Sequence, residues 1–68
     1  MTQTERIEKY IQDFGSITQL EAMKDLGIMR LSARIWDLKH NGRKIKTVLE
    51  KSRNRYGEPV HYFRYSFE

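Results

Sequence analysis

The chain contains no cysteine, one proline and four glycines in 68 residues. Without cysteine there is no disulfide framework and no thiolate metal site. Its two histidines, His40 and His61, have no cysteine or carboxylate neighbours at metal-ligand spacing, so neither a metal nor another cofactor is expected. No apolar run approaches the roughly 20 residues that span a bilayer, and the N-terminal MTQTERIEKY is too polar for a secretory signal. The expectation is a soluble, cytoplasmic chain with no membrane partner. There is no glycine-rich phosphate loop. Ser32 has no base beside it, so a nucleophilic role fails. No constellation supports an enzyme. Linkers, repeats and low-complexity segments are also missing, which leaves one domain with a small core.

What is present is basic charge, unevenly placed. The net charge is +4. Through Ile28 there are three basic residues against five acidic ones; from Met29 onward there are ten against four. A positive second half fits a phosphate-binding face.

The centre of the chain is Thr18 to Asn41. Thr18 and Glu21 have capping-box spacing. Leu20, Met23 and Leu26 follow at helical spacing. Gly27 then supplies a residue that can turn left-handed without a Cβ penalty, and Ile28 can plug the corner. Leu31, Ile35 and Leu38 recur as one buried stripe of a next helix, which Asn41-Gly42 ends. Upstream, Thr2 and Glu5 form another capping box. Ile7, Tyr10, Ile11 and Phe14 make a stripe that Gly15 stops. Helices are therefore expected over about 3–14, 19–26 and 30–41, with Leu20, Leu26, Leu31, Ile35 and Leu38 buried against Ile7, Ile11 and Phe14.

After Gly42 the pattern becomes β-like. Strands are expected over about 44–51 and 60–67, joined by the loop SRNRYGEP, in which Asn, Gly and Pro mark a turn. Ser16-Ile17 can add a minimal strand. Phe63, Tyr65 and Phe67 share one face of the last strand and Val60 and Tyr62 the other; the sequence leaves open which face is buried. The fold class is α+β: three helices followed by a β-hairpin.

Two surfaces are candidates for function. Turning about 100° per residue from Leu31 puts Ala33 nearly opposite the core. Met29, Arg30, Trp36, Asp37 and His40 lie around it, with Ser32 and Arg34 on the flanks. A small residue among arginines and serine can approach a groove closely, and arginine can donate a bidentate pair to guanine or phosphate. A solvated charged face is the plainer alternative. The second surface is Lys51, Arg53, Asn54 and Arg55 in the loop. They suit a phosphate backbone or a narrow minor groove, or equally a hairpin tip charged against edge pairing. Trp36 is expected to pack partly against the hairpin, and Tyr56 at the hairpin base. The aromatics of the last strand are assigned to the core rather than to base stacking.

Leu26-Gly27-Ile28, then Arg30-Leu31-Ser32-Ala33-Arg34-Ile35 and Asp37-Leu38, resemble the helix-turn-helix of small winged-helix proteins of bacteriophages and prophages. The resemblance continues into Asn54-Arg55-Tyr56-Gly57-Glu58 and Arg64-Tyr65 and covers about residues 16–67. It implies double-stranded DNA binding. Helix three (Arg30, Ser32, Ala33, Arg34) would lie in the major groove and Arg53, Asn54 and Arg55, beside Lys51, would form the wing. A homodimer or cooperative assembly on DNA is compatible with it. The biological role is expected to be that of a transcriptional regulator or recombination accessory factor. A protein-interaction winged helix that binds a host protein, and an RNA-binding module, are the competing expectations. In one respect the chain departs from the pattern: Met29 stands where many helix-turn-helices place a Ser or Thr cap for helix three.

Overall fold

The computed structural model describes residues 1–68. In chain order the elements are α1 (Gln3–Phe14), β1 (Ile17–Thr18), α2 (Gln19–Glu21), a π-helical turn (Ala22–Leu26), α3 (Leu31–His40), β2 (Ile45–Arg53) and β3 (Pro59–Phe67). The strands form one antiparallel sheet in the order β1-β3-β2.

Both early helices start by the same device. Thr2 Oγ1 accepts from the Glu5 N–H at 3.2 Å, and Glu5 Oε1 accepts from the Thr2 N–H at 3.1 Å. At Thr18 and Glu21 the corresponding distances are 3.2 and 2.9 Å. Each box satisfies donors that a helix start leaves orphaned.

Between the second and third helices the chain turns on Gly27, whose φ of 69° is left-handed. A side chain there would be strained whatever the space around it. The turn lets the Ile28 N–H reach back to the Ala22 carbonyl at 3.0 Å and drives Ile28 into the core, where it is 1% exposed.

All six isoleucines are buried, with Ala22, Leu31, Leu38 and Tyr65. Leu20 and Phe14 are not, and this corrects the sequence expectation; Met23 is exposed as well. Leu20 is 60% and Phe14 71% exposed, and Leu26 is only partly buried. The reason lies in the π turn. It takes more residues per turn than an α-helix, so Leu20, Met23 and Leu26 no longer share a face, and Ala22 occupies the inward position. Phe14 packs outside the core on Tyr10, ring centroids 4.7 Å apart. Tyr10 in turn donates to Asp25 Oδ2 at 2.6 Å, tying α1 to the π turn. That bond to a carboxylate pushes the phenol up to about 12.

β2 and β3 pair continuously from Ile45↔Phe67 to Arg53↔Pro59. There is no bulge, and this settles the face left open by the sequence. Ile45, Tyr65 and Ile17 face the core; Arg64 and Glu50 lie on the other face. Because β1 is only two residues long, the outer half of the hairpin has no third strand and projects. Leu49 and Phe63, paired in register on the core-side face, lie beyond the core and are 53% and 50% exposed. The molecule is elongated accordingly, 38 × 22 × 21 Å.

Candidate nucleic-acid interface

α3 begins without a side-chain cap of its own. Arg30 is the cap residue and makes no capping hydrogen bond; Met29 cannot make one. The deficit is met from the preceding helix. Gln19 Oε1 accepts from the Leu31 N–H at 2.8 Å, and Gln19 Nε2 donates to the Ile28 carbonyl at 3.0 Å. One amide thus fixes both sides of the turn and the angle at which α3 leaves it. The sequence hinted at this only through the missing cap at Met29.

Leu31, Ile35 and Leu38 hold the inner side of α3. On its outer side Arg30, Ser32, Ala33 and Arg34 line one shallow depression with Trp36 and Asp37. The four helix candidates are therefore brought together. Their charges differ in availability. Arg30 is exposed and has no ion-pair partner. Arg34 Nε lies 3.3 Å from Asp37 Oδ2, one turn along the same helix. Trp36 does not pack on the hairpin, contrary to the expectation from sequence. It is 58% exposed and stacks on His40, ring centroids 3.5 Å apart. Its place in the helix, off the Leu31 stripe, directs it outward, and a hairpin anchored at the opposite side of α3 cannot reach it.

The other candidates sit at the end of the hairpin. Lys51, Arg53, Asn54 and Arg55 are all exposed. Asn54 builds the turn: its Oδ1 accepts from the N–H groups of Tyr56 and Glu58 at 2.9 and 3.0 Å. Gly57, at φ 76°, closes the five-residue loop between β2 and β3. Arg53 Nη1 donates to the Gly57 carbonyl at 2.8 Å. Arg55 has no such tie. Tyr56 is 85% exposed at the tip, not packed at the hairpin base, because the loop carries it beyond any element it could touch. Alternation along β2 from the buried Ile45 puts Lys51 and Arg53 on the sheet face that looks toward α3. A cleft between the two surfaces is lined by Gln19, Leu31, Ser32, Tyr62, Phe63 and Tyr65.

The chain matches the winged helix-turn-helix domain family over residues 2–68. It belongs to that family. No curated protein and no solved structure gives a significant match. In family terms α3 is the second helix of the helix-turn-helix and the β2–β3 hairpin is the wing.

Within this winged helix-turn-helix the basic residues divide sharply. Of the ten that follow Ile28, three are in ion pairs: Arg34 with Asp37, Arg43 with Glu8, and Arg64 with Glu21 and Glu50. Arg43 also lies over the Phe67 ring, 4.4 Å from its centroid. Arg64 is a clamp at the wing base. Its Nε donates to Glu50 Oε1 at 2.9 Å and its Nη1 to Ser16 Oγ at 3.0 Å, and it lies 3.4 Å from Glu21 Oε1. The Glu50 carboxyl is held below its ordinary range by that guanidinium. Arg30, Lys39, Lys44, Lys46, Lys51, Arg53 and Arg55 have no acidic partner. The sequence marked Arg64 only as part of a resemblance; its clamp joins residues far apart in the chain.

Proposed function

We propose that this protein binds double-stranded DNA and reads its sequence, as a regulator or recombination accessory factor of a phage or prophage. As recognition helix, α3 enters the major groove and the wing lies on the backbone or in the minor groove. One observation carries the reading: of the nine basic residues without an acidic partner, seven fall at α3, on the segment after it and on the wing, and only Arg6 and Lys24 lie elsewhere. Such unpartnered charge is what a polyanion compensates. Arg30 donates to a base edge, Ser32 contacts bases or phosphate, and Ala33 permits close approach. Arg34 offers the guanidinium N–H groups that Asp37 leaves free. Lys51, Arg53 and Arg55 meet phosphates, and Asn54 serves by holding the turn that presents them. The phage or prophage context rests on the likeness of the turn, recognition-helix and wing residues.

A salt titration against random duplex DNA and duplex RNA tests this. Log affinity should fall linearly with log salt for DNA, by about 0.9 for each phosphate contact, with DNA bound more tightly than RNA. Stoichiometry in the same titration separates a single chain from a homodimer or cooperative assembly. Arg30→Ala should lose about 1–3 kcal/mol of discrimination at one or two base pairs. Absence of duplex binding at low salt would overturn the proposal. The exposure of Met29 and Trp36, 70% and 58%, would then favour a protein partner instead, since exposed apolar patches mark partner surfaces.

A further inference from the structure

We infer that Trp36 is a specificity-determining residue that reads thymine through its 5-methyl group. The inference rests on the DNA reading above.

Trp36 is the chain's only tryptophan and lies mid-helix on the outward side of α3. A domain of this size buries a tryptophan where it can, since few other residues add as much apolar area. Here the core is completed by isoleucine and leucine, and the indole stays 58% exposed.

The ring is nevertheless held. His40, one turn on, leans back along the helix as helical side chains do. It stacks on the indole at 3.5 Å between centroids, with 24° between the planes. His40 Nδ1 is itself 3.2 Å from the Trp36 carbonyl oxygen. One face of the indole is thereby covered and its orientation set before any ligand arrives, which removes ordering cost from binding.

The surroundings choose the partner. Ala33, one turn before Trp36, leaves the approach open, and Arg30 and Lys39 at the two ends of the helix carry uncompensated charge. A polyanion brought to this side meets a flat apolar ring. Among the groups that base pairs present in the major groove, the apolar one is the C5-methyl of thymine.

The experiment uses the intact chain. Preferred duplexes are selected from a random library, and each thymine in the selected site is replaced in turn by deoxyuracil, which lacks only that methyl. One or two replacements should weaken binding by about fourfold each, equivalent to the ~0.8 kcal/mol of one buried methyl at 1.4 kcal/mol per tenfold. Trp36→Ala should bind thymine and deoxyuracil sites equally, with the salt slope unchanged. Tryptophan fluorescence should change on saturation with the selected duplex. A site without thymine, full tolerance of deoxyuracil, or unchanged fluorescence overturns the inference while salt-dependent duplex binding keeps the DNA reading standing. Failure of all duplex binding removes both.

Discussion

Arg64 and Arg55 lie on the same hairpin, and they live in different physical worlds. Arg64, at the base, is held by three oxygens from three separate segments of the chain. Arg55, at the tip, is exposed and makes no hydrogen bond or ion pair. The base of the hairpin has β1 beside it, the capping glutamate of α2 above it and the core beneath it. The outer half has none of these. One half of the element is therefore frame, where the guanidinium of Arg64 is neutralised internally. The other half is free, and its charge stays open to solvent. The same contrast divides α3, whose inner stripe is sealed and whose outer side keeps Arg30 and Trp36 in the open.

The comparison is broken most severely from the frame side. Leu38 is 2% exposed in the middle of the core. Leu38→Ala should cost about 2–5 kcal/mol, enough to unfold a domain this small or to lower its melting temperature drastically. A folded variant with an unchanged melting temperature would mean that α3 is not seated as described.

A smaller loss is expected at the turn. Gln19→Ala removes the acceptor for the Leu31 N–H and the donor to Ile28. By comparison with other lost helix caps it should cost about 0.5–2 kcal/mol. The loss should be local: amide exchange should quicken first at the start of α3. Uniformly faster exchange throughout the molecule would show that Gln19 supports the whole core rather than the turn.

Next comes a pH effect at the boundary between frame and free wing. The Glu50 carboxyl is depressed in the folded protein, chiefly by its hydrogen bond from Arg64. A carboxyl depressed on folding adds stability that is present above its unfolded value and is lost as pH falls through its folded value. Glu50→Gln should therefore lower the melting temperature slightly at neutral pH and flatten the acid fall of stability. Parallel melting-temperature curves for the two proteins down the acid limb would refute the clamp's contribution.

The smallest stability effect belongs to the tip. Arg53→Ala with Arg55→Ala should change stability by no more than about 0.5 kcal/mol, as exposed substitutions do, even though Arg53 gives up its bond to Gly57. The same pair should flatten the slope of log affinity against log salt by roughly two. An unchanged slope in the folded double variant would show that the wing does not touch phosphate.

The parts of this structure that were legible in the sequence are those encoded over a few residues. Thr2 with Glu5, and Thr18 with Glu21, announce helix starts because a cap needs only neighbours three apart. Gly15, Gly27 and Gly42 announce the ends because a left-handed backbone selects glycine locally. The i, i+4, i+7 run of Leu31, Ile35 and Leu38 and the β-rich stretches after Gly42 likewise carry their own periodicity, and charge segregation is a matter of counting. Tertiary structure decided the rest. Whether Leu20 is buried depends on a π turn that no local spacing announces, and Phe14 packs on Tyr10 outside the core. The buried face of β3 follows from pairing along its whole length. Gln19 as the cap of α3, Arg64 as a clamp across Ser16, Glu21 and Glu50, and Trp36 as an exposed rather than packed residue all depend on which segments meet. Those meetings are set by the joint packing of the core, a long-range property that periodicity within one segment does not contain.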